Sequence, residues 1–523
     1  MKVKKKYVLG LLALGALLSC ARIPQQIVSE KPDALTVDSA AKKVRNSAVR
    51  VVSSVGTARG QGSGFFVAHD KIATNIHVVS DYGPIFAESA DKKTTWLVEG
   101  VVAFDVKNDL VVLKLAGEGT PLSLGDSAAV KIDDAVSVVG FPSEKYKVTH
   151  GTVQNIRSSD KWIFLKTDAP RGSSGGPVLN SAGQVIGVVV GYGDHSHKYV
   201  IPTNVLKPLL AQLDPIEPLV EWHDREKIRS YTYYVHGEMK NDAGAYDEAI
   251  VALDKAIQLN AAFIYPYYKR GFAKFKLGVS ESDRGNKKKA KDFYESAIGD
   301  FTHIIKQDRD DVDAYNDRAV VQVLLGESEA ASGNIERARG FYELVIKDCT
   351  YVIKLNPEHV DAYNNRGVAN LRLGESEATH RNVDKAQRFY EAAIEDYTHI
   401  IKRDPEDAYA YNNRGYAKYL LGKSEALVGN MVEARNLYQA AVIDGEESIR
   451  LDPDNAALYH TRGVSKAALG DLEGAIVDFD KAIQINPEYT EAYNERGRAK
   501  EALGQQEAAE ADFEKAKELD PRE

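Results

Sequence analysis

Three stretches of this chain carry residue types that, brought together, could transfer an acyl group. The most distinctive is Arg171-Gly172-Ser173-Ser174-Gly175-Gly176-Pro177, a serine flanked by glycines with a proline just beyond. Glycine takes backbone conformations that a side chain forbids, so such a turn can aim amide N–H groups beside a serine hydroxyl. A tetrahedral intermediate needs that arrangement, because its negative charge develops within hydrogen-bond reach of those amides. Serine at its free pKa is a poor nucleophile and requires a base. Ala73-Thr74-Asn75-Ile76-His77-Val78-Val79 supplies a histidine. Asp105-Val106-Lys107-Asn108-Asp109-Leu110-Val111-Val112-Leu113 supplies a carboxylate at the head of an apolar run. Alone, the glycine-rich turn reads equally well as a structural loop; with a histidine and an aspartate upstream it reads as a site.

The order His77, Asp109, Ser174 is that of chymotrypsin rather than of subtilisin or the α/β-hydrolases. The three stretches resemble the T-N-x-H-V-V, N-D-L-A-V-L and G-N-S-G-G elements of the trypsin-like serine peptidases, within them the HtrA (Deg) branch. Val148-Thr149-His150-Gly151-Thr152-Val153, Thr167-Asp168-Ala169, Gly183-Gln184-Val185-Ile186-Gly187 and Tyr199-Val200-Ile201-Pro202 extend the resemblance over most of residues 41 to 212. It implies that Ser174 is the nucleophile, His77 the general base and acid, and Asp109 the residue that holds the histidine tautomer. The backbone N–H groups of Gly172 and Ser174 would form the oxyanion hole, with Ser173 bridging them. Many relatives carry Asn before the nucleophile; Ser173 leaves the backbone donors intact.

Other titratable residues fit the chemistry less well. Asp105 precedes Asp109 by four residues, but only Asp109 heads the apolar strand. His150, His195 and His197 adjoin turns and suit surface or supporting roles. His195 and His197 have the spacing of strand metal ligands, yet no carboxylate or cysteine cluster completes a set, so no metal is expected. The reaction as read needs no cofactor. Asp168, Val190 and Tyr192 are the candidates for the substrate pocket. Asp168 lies six residues before Ser174, where trypsin carries its specificity acid, but in HtrA relatives a Thr-Asp-Ala aspartate is structural. The structural role is favoured, with a small apolar residue accepted before the cleaved bond.

These residues need a scaffold, and the surrounding text describes one. Residues 41 to 212 alternate short β-rich runs, such as Ala48 to Val52 and Val185 to Val190, with Gly, Asp, Asn and Ser turns. That is the pattern of an all-β sandwich or barrel, and the resemblance implies the two β-barrels of the trypsin-like fold. At 523 residues the chain is too long for one core. Its 44% hydrophobic and 27% charged content is ordinary for a globular protein, and a net charge of −9 gives no support to nucleic-acid binding. With only Cys20 and Cys349, no intrachain disulfide framework is expected.

Residues 1 to 19 read as a signal peptide, with Lys2, Lys4, Lys5 and Lys6 before the apolar run Tyr7 to Leu18. Leu17-Leu18-Ser19-Cys20 resembles a bacterial lipobox, which implies cleavage before Cys20 and lipidation of its thiol. A lipid-anchored protein of the bacterial cell envelope follows. Ala21 is not the aspartate of the enteric inner-membrane retention signal, so an outer-membrane destination is favoured in a Gram-negative cell. Residues 20 to 40 form a tether of roughly 25 Å average span, and Asp214-Pro215-Ile216-Glu217-Pro218 opens a linker over residues 213 to 228.

From residue 229 to 523 an internal repeat takes over. Tyr233, Tyr267, Tyr315, Tyr363, Tyr411, Tyr459 and Tyr493 are separated by 34, 48, 48, 48, 48 and 34 residues. Each is followed four residues later by a glycine or, at Ala319, an alanine. The 34-residue units resemble tetratricopeptide (TPR) repeats. The 48-residue units carry the same landmarks with fourteen residues added between the helices, about 3.9 turns. About two extra turns on each helix keep the packing faces in phase, so seven repeats are expected, four of them elongated. The fold class is therefore multidomain: an all-β double-barrel trypsin-like peptidase domain followed by an all-α TPR solenoid. Such arrays bind partners on a concave face, for which Asn364, Asn365, Asn412, Asn413 and Asn494 are candidates, as they also are for solvated helix starts. The expectation is an anchored serine endopeptidase acting on protein or peptide substrates, whose repeats recruit an unknown protein partner. The alternative is a peptidase-fold scaffold of weak or no activity, in which the repeats do the work.

Overall fold

The computed structural model describes residues 44–519, apart from 56–57, 81–82, 158–160 and 191–196. The signal segment, the tether, Cys20, Tyr192 and His195 lie outside the described residues. The chain divides into two compact units, residues 27–266 and 267–523.

In the first unit, β1 (Ala48–Val55), β2 (Ala58–Ala68), β3 (Lys71–Asn75), the single turn α1 (Ile76–Val79), β4 (Ile85–Ser89), β5 (Thr95–Asp105) and β6 (Leu110–Leu115) follow in order. The strands close in the order β1-β2-β3-β6-β5-β4. A second barrel closes as β10-β11-β12-β9-β8-β7, from β7 (Ala135–Gly140), β8 (Lys147–Ile156), β9 (Ile163–Thr167), β10 (Pro177–Leu179), β11 (Val185–Val190) and β12 (His197–Pro202). Closure leaves no open edge to pair with another chain. Alternate residues fill each interior: Val49, Val51, Ile72, Val111 and Leu113 in the first barrel are fully buried, and Val136, Val138, Val153, Leu165 and Val189 pack together in the second.

One apolar cluster draws on both barrels, joining Phe65, Leu110 and Val112 of the first to Val139, Phe141, Leu179 and Val188 of the second. Apolar burial of this kind contributes about 25 cal/mol per Å² removed from water, and it sets the barrels in register. Arg50 of β1, 5% exposed, crosses the same seam to Glu144 at 2.8 Å while holding Glu88 at 2.9 Å.

After α2 (Thr203–Ala211), the proline-rich segment expected as a linker runs along β5. Val101 and Glu217 exchange backbone hydrogen bonds of 2.8 and 2.9 Å, and α3 (Leu219–Asp224) buries Trp222 completely, edge-on to Phe104. α4 (Glu226–Asp242) and α5 (Tyr246–Leu259) complete this unit as the first helical hairpin.

The helices that follow are α6 (Tyr265–Asp283), α7 (Lys287–Gln307), α8 (Val312–Ala330), α9 (Ile335–Leu355), α10 (Val360–Thr379), α11 (Val383–Arg403), α12 (Ala408–Leu427), α13 (Met431–Leu451), α14 (Ala456–Leu469), α15 (Leu472–Ile485), α16 (Thr490–Ala502) and α17 (Gln506–Leu519). α6 to α13 have 19 to 21 residues, against 13 or 14 in α14 to α17. The added residues of the 48-residue units are thus helical. The elongated hairpins turn on a shared bond, in which an asparagine amide donates to a glutamate five residues back. The pairs are Asn286 to Glu281, Asn334 to Glu329, Asn382 to Glu377 and Asn430 to Glu425, at 2.6 to 2.7 Å.

A second pattern joins the two helices of each repeat from α6 onward. Arg270, Arg318, Arg366, Arg414, Arg462 and Arg496 grip Asp300, Asp348, Asp396, Asp444, Asp478 and Asp512. Each of these carboxylates is at most 4% exposed. Each guanidinium also lies over the ring of the tyrosine three residues before it, at 5.3 to 5.8 Å. A buried carboxylate is tolerated only when paired and hydrogen-bonded, and the planar arginine fork satisfies both oxygens. Cys349 is fully buried in α9, and burial raises its thiol pKa, as suits a small hydrophobe rather than a reactive group.

Candidate active site

β3 and β6 pair so that Asn75 lies opposite Leu110, which brings the turn before β6 alongside α1. Asp105 closes that turn, accepting from the Asn108 N–H at 3.2 Å and from its Nδ2 at 2.6 Å. Across the seam, Trp162 Nε1 donates to Asn108 Oδ1 at 3.4 Å. Asp109 leaves the turn with φ +53°, a conformation uncommon outside glycine and of the kind stored at functional sites. Its carbonyl accepts from Asn75 Nδ2 at 2.9 Å and from the Ile76 N–H at 3.2 Å. Its carboxylate accepts from the His77 N–H at 3.0 Å and stands 2.5 Å from His77 Nδ1.

An ionised carboxylate can only accept. Nδ1 therefore carries the proton, and the lone pair of the neutral ring falls on Nε2, where a general base needs it. Burial works to lower the His77 pKa. The charge and hydrogen bond of Asp109, with the charge of Glu238 behind them, outweigh it and raise the pKa above the ordinary value of 6.5. The neutral, basic form is lost as pH falls through that raised value.

The serine turn is built from two glycines with positive φ, Gly172 at +94° and Gly175 at +81°. A Cβ at Gly175 would lie 2.1 Å from the Ser63 carbonyl oxygen and 2.3 Å from Thr74 Oγ1, so the loop presses against the strand that leads to His77. Gly175 N–H donates to the Val189 carbonyl at 2.8 Å, and Ser173 N–H is taken by Pro170 at 3.3 Å. Among the described residues no backbone carbonyl takes up the N–H of Gly172 or of Ser174. The two N–H groups, one on either side of Ser173, are thus not taken up by backbone carbonyls, which an oxyanion hole requires.

Ser63 of β2 grips this turn from the other barrel. Its N–H donates to the Ser174 carbonyl at 2.7 Å and its Oγ to the Gly172 carbonyl at 2.8 Å. That same Oγ accepts from the Phe141 N–H at 3.0 Å, and Thr74 Oγ1 donates to the Ser63 carbonyl at 2.7 Å. Sequence reasoning passed over Ser63 and Asn75. The signal for Ser63 was present as Gln61-Gly62-Ser63-Gly64, a second glycine-flanked serine. Glu238 had no such signal, since it comes from the helical part of the chain.

The pocket candidates fare differently. Asp168 is exposed at the end of β9. Val190, expected at the pocket, is instead fully buried in the cluster between the barrels and offers no surface to a substrate. Every residue of β11 is buried, which removes the side-chain alternation a pocket wall needs. Tyr192 and His195 lie outside the described residues, as does the side chain of His197. His150 is exposed on β8, with Nδ1 3.1 Å from Ser137 Oγ.

Comparison with known proteins finds a peptidase domain followed by helical repeats. Residues 62–188 match the trypsin-like peptidase domain. Residues 237–278 and 463–504 match the TPR repeat, and 382–456 and 490–523 the tetratricopeptide repeat. The probable periplasmic serine endoprotease DegP-like of Hahella chejuensis is 36% identical over 140 residues, 25% of this chain and 29% of that protein. Its namesake in Chlamydia pneumoniae is 34% identical over 168 residues, 29% of this chain and 34% of the relative. The chain thus spans about a third of the length of these relatives. A solved protease of M. tuberculosis in its active form is 21% identical, covering 38% of this chain and 96% of that one, with a TM-score of 0.33.

Ser63→Ala removes the hydroxyl that holds Gly172 and Phe141 together. Steady-state kinetics on a short ester or peptide should show kcat/KM reduced by up to about 100-fold, the scale of a small misplacement of reacting groups, with the circular dichroism of a folded protein. A variant within twofold of wild type would mean that the turn is held without Ser63.

Proposed function

We propose that this chain, which joins a trypsin-like peptidase domain of the HtrA type to tetratricopeptide repeats, is a lipid-anchored serine endopeptidase of the bacterial cell envelope. The observation that carries the reading is the His77–Asp109 pair, 2.5 Å apart and built on the strand that the serine turn presses against. In this reading Ser174 Oγ attacks the scissile carbonyl while His77 Nε2 takes its proton, and Asp109 stabilises the imidazolium. The oxyanion is met by the N–H groups of Gly172 and Ser174. His77 then returns the proton to the leaving amine, and water repeats the cycle on the acyl-enzyme. The similarity to proteins named as periplasmic serine endoproteases supports both the reaction class and the compartment.

Covalent labelling tests the reaction. A fluorophosphonate probe should label the wild-type protein and not Ser174→Ala; equal labelling of the two would sink the peptidase reading.

Cys20 supplies the anchor in this reading, through the lipobox-like Leu17-Leu18-Ser19-Cys20. In a detergent partition the mature wild-type protein should enter the detergent phase and Cys20→Ser should not. Recovery of the mature wild type in the aqueous phase counts against lipidation.

The repeats recruit. A partner held on them raises the local concentration of its cleavable segment, to the order of millimolar for a short connection. Because residues 27–266 form one compact unit, the informative truncation ends at Pro266. It should hydrolyse a short peptide at nearly the full-length rate while cleaving a native target more slowly. Loss of short-peptide turnover in a folded truncation would show that the later repeats belong to the catalytic unit.

A further inference from the structure

The first repeat lies closer to the candidate site than recruitment requires. α4 is tied to the peptidase unit on both sides of that site. On the histidine side, Thr232 Oγ1 lies 3.1 Å from the carbonyl of Ser80 and 3.0 Å from that of Ile228, which share its one proton, and Ser80 is the residue that ends α1. Just upstream, His223, 2% exposed, sets its Nε2 2.8 Å from the Val79 carbonyl. On the serine side, Asp242 meets Arg171, the residue before Gly172, at 4.0 Å. That pair is exposed and contributes little energy; it marks where the helix arrives. Thr232 and Asp242 are separated by about 15 Å of helix, so α4 runs from one side of the site to the other.

One face of α4 makes this crossing. Thr232, Val235, Glu238 and Asp242 fall within an arc of about 120° at the helical repeat. The neighbouring Gly237 packs on Leu253 of α5. Glu238 stands at the edge of the crossing face and is 7% exposed. A glutamate is rarely buried so far without a charged or hydrogen-bonding group to meet, and its charge acts on His77, favouring the imidazolium.

We propose that α4 forms a wall of the catalytic cleft and that Glu238 is a positioning residue for His77, a second carboxylate beside the imidazole that Asp109 already holds. The proposal rests on the peptidase reading. When the proton of Ser174 Oγ passes to His77 Nε2, two carboxylates share the stabilisation of the imidazolium, and the charge relaxes when the proton leaves on the amine. The same field makes the resting histidine harder to deprotonate. The carboxylates whose charges act on His77 are Asp109, from the turn before β6, and Glu238, from α4. His223 bonds the end of α1, the Arg171–Asp242 pair lies at the serine end of α4, and His236, nearly two turns before the Asp242 end, stacks edge-on to Tyr233.

Glu238→Gln, nearly isosteric, tests this in the full-length protein by two readouts. The first is the pH profile of kcat/KM on a short peptide. The second is the His77 titration, followed by NMR with ¹⁵N-labelled histidine. Both midpoints should move to lower pH in Glu238→Gln with KM little changed, and Glu238→Asp should move them back towards wild type. Identical His77 midpoints in wild type and Glu238→Gln overturn the proposal. If the NMR midpoint moves while neither protein shows Ser174-dependent turnover, the positioning stands and the peptidase reading fails.

Discussion

A carboxylate that is 4% exposed has to be satisfied by the protein around it, and Asp109 is satisfied almost wholly by the segment that carries His77. One residue offers three acceptor atoms, and Asn75, Ile76 and His77 supply the donors. The positive φ of Asp109 is what turns its carbonyl and its carboxylate towards the same neighbours. Strain of this kind costs about 1–3 kcal/mol, and it is offset only because the surrounding strands over-determine the turn. β3 and β6 set the register, Asp105 closes the turn, and Trp162 reaches across from the second barrel to Asn108. If the barrels were not locked by their common apolar cluster, neither the imidazole nor the serine turn would have a fixed position.

The second barrel carries the serine, yet the first barrel holds it. Ser63 contributes its N–H and its hydroxyl to that seam, while its carbonyl is held by Thr74 within the first barrel. The chemistry is therefore a property of the interface rather than of either barrel. This also explains why a continuous motif such as Gly172 to Gly176 is necessary for the site without being sufficient.

Much of this was legible in the residues. Alternating β-branched runs between Gly, Asp and Asn turns announce closed sheets, and tyrosines at 34- and 48-residue spacing announce paired helices. The fourteen-residue insertions could be read as helix because the inserted text carries no proline and keeps whole turns. Contacts between residues far apart in sequence were not legible. Ser63 and Gly172 are 109 residues apart, and nothing local to either announces the other. Val190 misled for a related reason, because an apolar strand next to a site reads alike whether it faces a pocket or a core. The segment around Pro215 and Pro218 suggested a spacer, since proline disfavours regular structure, whereas its backbone pairs with Val101 and its Trp222 is buried.

The arginine–aspartate pairs in the helical array have a consequence for how such a chain can change. From arginine to aspartate the distance is 30 residues in the long repeats and 16 in the short ones. From each aspartate to the opening tyrosine of the next repeat it is 15 residues throughout. All variation in length is confined to the hairpin, and the joint between successive repeats is of one gauge. A long module and a short one therefore present the same coupling to whatever follows. Duplication or loss of a whole module, of either size, leaves every remaining joint intact, so the array can grow or contract in evolution without redesign of its neighbours.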